Sequence, residues 1–452
     1  MTKKTTALAL MVLAVASVVL PAEFPLELKT LTLQETLAFP GSDGQMAQLV
    51  TAKPESISRQ PAASSKYPIY GVLATDGESR MAFRLDESKG TGKGYDALIL
   101  DLNRNGDLTD DPVTQEAQKN EEVVGQMEQS LFGPIAVPAA QSAGPWRPSL
   151  CAEMLLYNRS MLKQRDNAFL GFLRVKPAGY LETTVEVNGV KQKIGVCDGN
   201  CNLRLGDPAA MEVSKRSGEA YWFLRPSDTL LRDRNGDGQF DSDDVAAESE
   251  PFSEIVYFGP TPYSLTLAGD LKAVRVEPYS GAVGELKIEK AGAVRSLTVG
   301  WEKSAGQWRC LTPGVGPDGE FKAPVGAYRV YTCSLAGKAK GGAVVAVSGM
   351  QRKAEGSVRI EPGQSAGLPC GAPLDLKVVA NTRTQQRGGG WFRSAATVTN
   401  VDINIQVVGA GGENYSAYRI ADKNRVARPK PPQFRVLGEN RKEIAAGQLE
   451  YG

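Results

Sequence analysis

Histidine is absent from all 452 residues. That single absence removes Ser-His-Asp and Cys-His nucleophilic triads, imidazole general bases and histidine-bearing zinc or copper sites. An enzyme built on this chain would have to work with carboxylates, lysine, tyrosine or a hard cation. Two-carboxylate glycoside hydrolysis is the form of that chemistry best suited to an exported protein. An excess of either charge is also missing, since 52 Lys and Arg face 51 Asp and Glu. No basic field is therefore available to hold nucleic acid or an anionic membrane. Long apolar runs are lacking as well: the stretch from Ala7 to Leu20 is shorter than the roughly 20 residues that span a bilayer, and no later stretch is long enough, so a membrane-spanning chain is not expected. Sustained 3.6-residue periodicity is scarce, with Glu153 to Gln164 the best helix candidate.

The short apolar run has another meaning. Lys3 and Lys4 precede it and Leu20-Pro21-Ala22 follow it, the layout of a bacterial-type signal peptide over 1–22 cut after Ala22. The mature chain is expected to be secreted, periplasmic or at the cell surface. No Cys follows the apolar region, so a lipid-modified N-terminus is not expected. Cys151, Cys197, Cys201, Cys310, Cys333 and Cys370 make an even set in a compartment that permits disulfides. Cys310 and Cys333, in neighbouring expected strands, are the best pair; Cys197 with Cys201 would staple a loop, leaving Cys151 and Cys370. Buried free thiols are the equal alternative in a chain whose core does not depend on staples.

What the chain does contain is turn and strand. Its 48 glycines and 27 prolines punctuate short runs such as Tyr67 to Ala74, Met81 to Leu85, Ala97 to Leu100, Thr183 to Val187, Tyr328 to Tyr331, Val358 to Ile360 and Val401 to Val408. The expected fold class is mainly β and multidomain, with strand-flanked calcium loops in the N-terminal half and two small β-sandwiches in the C-terminal half. The expected units are a leader or linker over 23–66, β-rich units over 67–135 and 136–285, a sandwich over 286–370 and a C-terminal sandwich over 371–452. A hairpin turned at Asn188-Gly189 is expected within Tyr180 to Lys191.

The chemistry-bearing motif is a loop of alternating oxygen donors. Calcium takes about six to eight hard oxygens, and a twelve-residue loop can supply them from positions 1, 3, 5, 7, 9 and 12 with glycine at 6. Asp233, Asn235, Asp237, Gly238, the Gln239 carbonyl, Asp241 and Asp244 fill that frame. An earlier copy offers Asp101, Asn103, Asn105, Gly106, the Asp107 carbonyl and Thr109, with Pro112 at position 12, so Asp110 or Asp111 would have to close the shell. A third copy keeps Asp198, Asn200 and Asn202, but Leu203 replaces the glycine and Arg204 adds a positive charge. It reads as a relic or a plain turn. Position 8 is apolar each time, as Leu108, Leu205 and Phe240.

These loops resemble the calcium loops of the EF-hand and dockerin families over about twelve residues each. That resemblance implies calcium as the ligand, but the flanks depart from it, because Ala97 to Leu100 and Thr229 to Leu231 read as strands rather than helices. Further on, Pro324-Val325-Gly326-Ala327-Tyr328 resembles the start of a strand in prealbumin-like and immunoglobulin-like sandwiches. Ser88 to Gly94 fails the phosphate-loop spacing, Arg387 to Phe392 reads as a loop held by Trp391, and Glu248-Ser249-Glu250 reads as a solvated face. The leading expectation is a secreted or periplasmic β-protein in which calcium braces loops rather than signals. Its role would be structural or in binding a glycan or a cell-surface protein. The alternative is a His-free extracellular polysaccharide hydrolase with a carboxylate pair and structural calcium.

Overall fold

A computed structural model describes residues 22–448 apart from 41–43, 77–78, 91–93, 121–126, 139–143, 158–168, 217–218, 242–247, 290–292, 339–341, 343, 352–355, 388–395, 423–424, 428–429 and 432. Residues 1–21 of the expected signal peptide, Asp244 and Trp391 lie outside the described residues. Within them the chain is mainly β and forms several sheets, the class the strand and turn pattern implies.

The first body is an eight-stranded antiparallel sheet. Its order is Gln45–Leu49, Gly171–Pro177, Ser149–Leu156, Glu128–Ala136, Val113–Asn120, Ala97–Leu100, Ser79–Asp86 and Ile69–Asp76. Its two ends meet where Val50 and Tyr70 exchange both N–H···O bonds, 2.9 Å each. That pairing closes the sheet into a barrel and leaves neither end strand as an open edge at that point. Alternate residues of each strand face inward, and Leu49, Leu73, Phe83, Leu98, Leu100, Phe132, Met154 and Leu173 fill the interior.

The barrel explains why the helix expected from Glu153 fails. Ser149–Leu156 pairs on one side with Gly171–Pro177 and on the other with Glu128–Ala136. Its buried positions then alternate with Glu153 and Leu155, so a two-residue period set by the neighbours overrides a weak local helical preference. The rest of that expected helix lies largely outside the described residues.

The second body is a sandwich. A five-stranded sheet runs Ser249–Pro251, Thr229–Arg232, Val190–Cys197, Gly179–Val187 and Glu27–Thr30. It packs on a four-stranded sheet of Ala22–Pro25, Ala273–Pro278, Thr261–Leu267 and Ile255–Phe258, and Leu181, Ile194, Val196, Tyr263, Leu265 and Val274 meet between them. The turn at Asn188 (φ 53°) and Gly189 (φ 75°) joins Val187 to its partner Val190, the two left-handed residues a tight hairpin needs.

The third body packs Val283–Lys287, Glu320–Pro324 and Ser365–Gly367 against an eleven-stranded sheet, with Leu286, Phe321, Leu297, Trp301 and Tyr328 in its core.

The sheets cross the expected unit boundaries. Residues 23–66 are not a linker, because Ala22–Pro25, Glu27–Thr30 and Gln45–Leu49 each pair into a sheet. The cut at 136 falls inside the barrel, whose strands continue to Pro177. At 370 the boundary lies within one sheet, since Val344–Met350 pairs with Asn414–Asp422. Long-range backbone pairing sets these limits, and composition does not register it.

Candidate metal-binding loops

Each of the three loops leaves the end of a strand, as their flanks suggest: Ala97–Leu100, Val190–Cys197 and Thr229–Arg232. Because Val190–Cys197 and Thr229–Arg232 run antiparallel, with Ile194 opposite Arg232 and Cys197 opposite Thr229, the loops at Asp198 and Asp233 lie at opposite ends of that pair.

The three backbones wrap alike. Position 4 is left-handed each time, in Arg104 (φ 60°), Cys201 (54°) and Gly236 (79°), and so is position 6, in Gly106 (76°), Leu203 (71°) and Gly238 (84°). The carboxylate at position 1 collects the N–H groups of the turn. Asp101 accepts from Asn105 (3.1 Å) and Gly106 (3.0 Å), Asp198 from Asn202 (3.0 Å) and Leu203 (2.7 Å), and Asp233 from Gly236 (2.6 Å) and Gly238 (2.9 Å). At position 3 the Oδ1 of Asn103, Asn200 and Asn235 accepts from the N–H of position 5 at 3.1, 3.0 and 2.8 Å. At position 5 the Oδ1 of Asn105, Asn202 and Asp237 accepts from the N–H of position 7 at 2.7, 2.9 and 2.8 Å.

A carboxylate from the far side closes each ring. Asp110 accepts from Asn103 and Asn105 Nδ2 (3.2 and 2.9 Å), Asp207 accepts from Asn200 and Asn202 Nδ2, and Asp241 accepts from Asn235 Nδ2 (3.2 Å). Thr109 does not take the closing place in the first loop. Its hydroxyl donates to Asp107 Oδ1 at 2.5 Å, while Asp107 also pairs with Arg59 at 2.8 Å. Gln239 is exposed, and its N–H donates to Asp237 at 2.8 Å.

The copy at Asp198 holds its wrap in the deepest surroundings. Asp198, Asn200 and Asn202 are buried, and Cys201 and Leu203 join the barrel core. Leu203 at the glycine position is thereby explained. A left-handed leucine costs about 1–2 kcal/mol, while burying its side chain against the barrel stabilises by about 1.5–3 kcal/mol. The guanidinium of Arg104, from the first loop, donates to the Asn202 carbonyl. These two loops thus form the joint between barrel and sandwich.

Three buried carboxylates beside the loops belong to no motif. Glu248, expected on a solvated face, is buried and accepts from Arg234 N (2.8 Å), Asn235 N (3.2 Å) and Asp241 N (2.8 Å). It holds both limbs of the third loop. Glu250 is buried too, against the guanidinium groups of Arg232 and Arg234. Buried Asp228 accepts from Gly206 N (2.6 Å) and Asp207 N (2.9 Å) through Oδ2, and its Oδ1 has no hydrogen-bond partner. The only sequence signal for Glu248 is an acid at the return to a strand, and acids there are usually solvated.

The buried carboxylates share one direction, whereas Asp107, bonded by Thr109 and beside Arg59, is held below its ordinary value. Burial raises Asp101 above its ordinary value, and burial with the neighbouring Asp101 and Asp110 charges lifts Asp111 to about 6. Burial lifts Asp198 to about 7 against the N–H bonds of Leu203 and Asn202, with Asp207 adding to the rise and Arg104 opposing it. Asp228 is held well above the carboxylate range by burial and the Asp198 charge. Burial and like charge dominate at these carboxylates, and Arg104 offsets them only in part at Asp198.

The donor set is all oxygen and suits a hard cation such as calcium rather than zinc or copper. An oxygen that accepts one N–H keeps a second lone pair for a ligand. Among the described residues no loop brings three carboxylates within 4.8 Å of one another, so amide oxygens, carbonyls and water must supply the rest of any shell. Such a shell carries little charge and belongs in the weak range of extracellular calcium modules, about 10⁻⁴ to 10⁻³ M.

Two cavities lie near these loops. One of about 640 Å³ is lined by Trp146, Leu203, Arg204, Glu254, Tyr279 and Trp301. Another of about 630 Å³ is lined in part by Asp228, Glu250, Lys176 and Arg225. No family model matches the chain, and no curated protein or solved structure is significantly similar to it.

Proposed function

We propose that this is an exported β-protein, secreted, periplasmic or at the cell surface, whose loops at Asp101 and Asp233 bind calcium. The ion would brace the loops, and the braced bodies would serve a structural role or bind a glycan or a surface protein. The observation that carries this reading is the common wrap of three separate loops: an acid at position 1 that collects turn N–H groups, Oδ1 atoms at 3 and 5 that each accept the N–H two residues on, and a closing carboxylate. At the first loop the raised Asp101 and Asp111 support it, since a bound cation would favour their charged form.

The same loops suggest what bracing achieves. Arg104 and Leu203 tie the first two loops across the joint of barrel and sandwich, and Glu248 ties the third to the sandwich edge. A site tenfold above its dissociation constant stabilises by about 1.4 kcal/mol, which is enough to order a loop.

The hydrolase alternative needs two carboxyl groups facing one cleft, about 5–9.5 Å apart. In the second cavity the carboxylates are Asp228 and Glu250. Glu250 is engaged by two arginines and one oxygen of Asp228 by two N–H groups, an arrangement that favours structural work.

Titration calorimetry of the mature chain with calcium tests the proposal. Saturable heat in the sub-millimolar to millimolar range is expected, with Asp233→Ala and Asp101→Ala each removing a distinct part of it and magnesium giving much less. Heat that neither variant changes would place the ion elsewhere, and no heat up to about 5 mM would refute calcium binding.

A further inference from the structure

Cys310 and Cys333 do not lie in adjacent strands. Strand Val294–Ser304 separates them, with Gly300 opposite Cys310 and Leu297 opposite Cys333. Cys310 packs with Ala209, Met211 and Trp222, whereas Cys333 packs in the core of the third body. The neighbour of Cys333 is Cys370: their sulfurs and a carboxylate oxygen of Glu413 lie within 4.8 Å of one another, and all three residues are buried. Cys151, Cys197 and Cys201 each face an oxygen of their own. Cys151 Sγ is 3.7 Å from Thr36 Oγ1, Cys197 Sγ 3.7 Å from Gly179 O and Cys201 Sγ 3.4 Å from Val175 O.

We propose that Cys333 and Cys370 form a disulfide, and that this bond fastens the strands after residue 370 to the core of the third body. Three chain segments converge there: strand Gly326–Lys338 through Cys333, the segment after Ser365–Gly367 through Cys370, and the turn before Asn414–Asp422 through Glu413. Glu413 accepts from Gly371 N (2.9 Å) and Gly411 N (3.0 Å), so the backbone on both sides of the bond is already fixed. Two thiolates and a carboxylate around a metal ion would be the competing use of these groups. Among the described residues, however, these three groups are the whole set, one ligand short of a closed structural metal site, and a disulfide adds no charge at this buried point.

The bond forms by exchange. One cysteine thiolate attacks the disulfide of an oxidant, a thiol oxidase of the exported compartment or oxidised glutathione, and expels one thiol. The second cysteine then displaces the other thiol, so the pair loses two electrons and two protons and the oxidant gains them. Burial of both sulfurs requires this to happen before the third body closes. The inference rests on the export reading only for where oxidation occurs.

The test is therefore made in vitro on the full mature chain. It is refolded in a glutathione redox buffer, unfolded in the presence of an alkylating agent, digested without reduction and mapped by mass spectrometry. A peptide joining Cys333 to Cys370, with Cys151, Cys197, Cys201 and Cys310 alkylated, is the expected result. Reduction should lower the thermal midpoint by several degrees in the native chain and in Cys310→Ser, but not in Cys370→Ala. Six alkylated cysteines, a different linked pair, or stoichiometric metal released when the thiols are modified would overturn the proposal. Because the map is read on the unmodified sequence, it stands even where a variant fails to fold, and calcium heat is unaffected by its outcome.

Discussion

Glu248→Ala is expected to lower the unfolding free energy by about 3 kcal/mol, the largest loss from any single side chain at the third loop. Its carboxylate is 1% exposed and accepts three backbone N–H groups, two from the outgoing limb of the loop and one from the returning limb. Each buried donor left without an acceptor costs about 1–3 kcal/mol. Asn235 lies in an exposed stretch, where water can replace part of the loss, so the sum stays well below three full penalties. Glu248→Gln should cost about half as much, because one amide oxygen still accepts while the NH₂ faces a donor. Urea unfolding measures both, as a fall in the midpoint with an unchanged slope. A change in Glu248→Ala below about 0.5 kcal/mol would mean that the loop is not held in this way.

Without calcium, the protein is expected to lose stability as pH rises from about 4 to about 7. The sign follows from the direction of the shifts. Asp198 stands at about 7 in the folded chain and Asp111 at about 6, against an ordinary value of 3.8. Between the unfolded and folded values the native state holds more protons, so the unfolding free energy falls with pH. This contribution is fully present below the unfolded value and gone once pH has passed the folded one. For Asp198 alone it is on the order of 4 kcal/mol. The carboxyls shifted the other way, Asp96, Asp107, Asp270 and Glu35, all keep part of their side chain at the surface, where solvent screens them, so they do not reverse the trend. At the first loop calcium would compete with the protons that Asp101 and Asp111 hold, so its stabilising effect should grow from pH 5 to pH 7.5. Thermal unfolding across that range, in chelator and in calcium, reads both slopes; a metal-free midpoint that rises steadily through this window would contradict the account.

The sequence conveyed local features well where local chemistry decides them. Asn188-Gly189 can take two left-handed positions, and it forms the expected hairpin. Ala97–Leu100 and Val358–Ile360 begin and end where their β-rich runs do. The spacing of Asp, Asn and Gly outlined the loops because each side chain bonds the backbone two or more residues on. What remained illegible is set by distant partners. Glu153 sits in a strand because the barrel supplies neighbours on both sides. Leu203 looked incompatible with a wrapped loop because its compensation is a barrel core formed by residues far away in the chain. Glu248 resembled any surface acid, since the N–H groups it serves belong to a loop whose curl is not written at position 248. The Cys333–Cys370 juxtaposition depends on the order of strands in a sheet, which no spacing of cysteines encodes.

The central claim is that calcium braces these loops, and thermal unfolding of the mature chain at pH 7.5 tests it most directly, with about 5 mM calcium against excess EGTA and with magnesium as control. The account predicts a midpoint higher by about 3 °C or more in calcium. That shift should shrink in Asp101→Ala and in Asp233→Ala, and magnesium should give little of it. Superimposable melting curves in calcium and EGTA would contradict it.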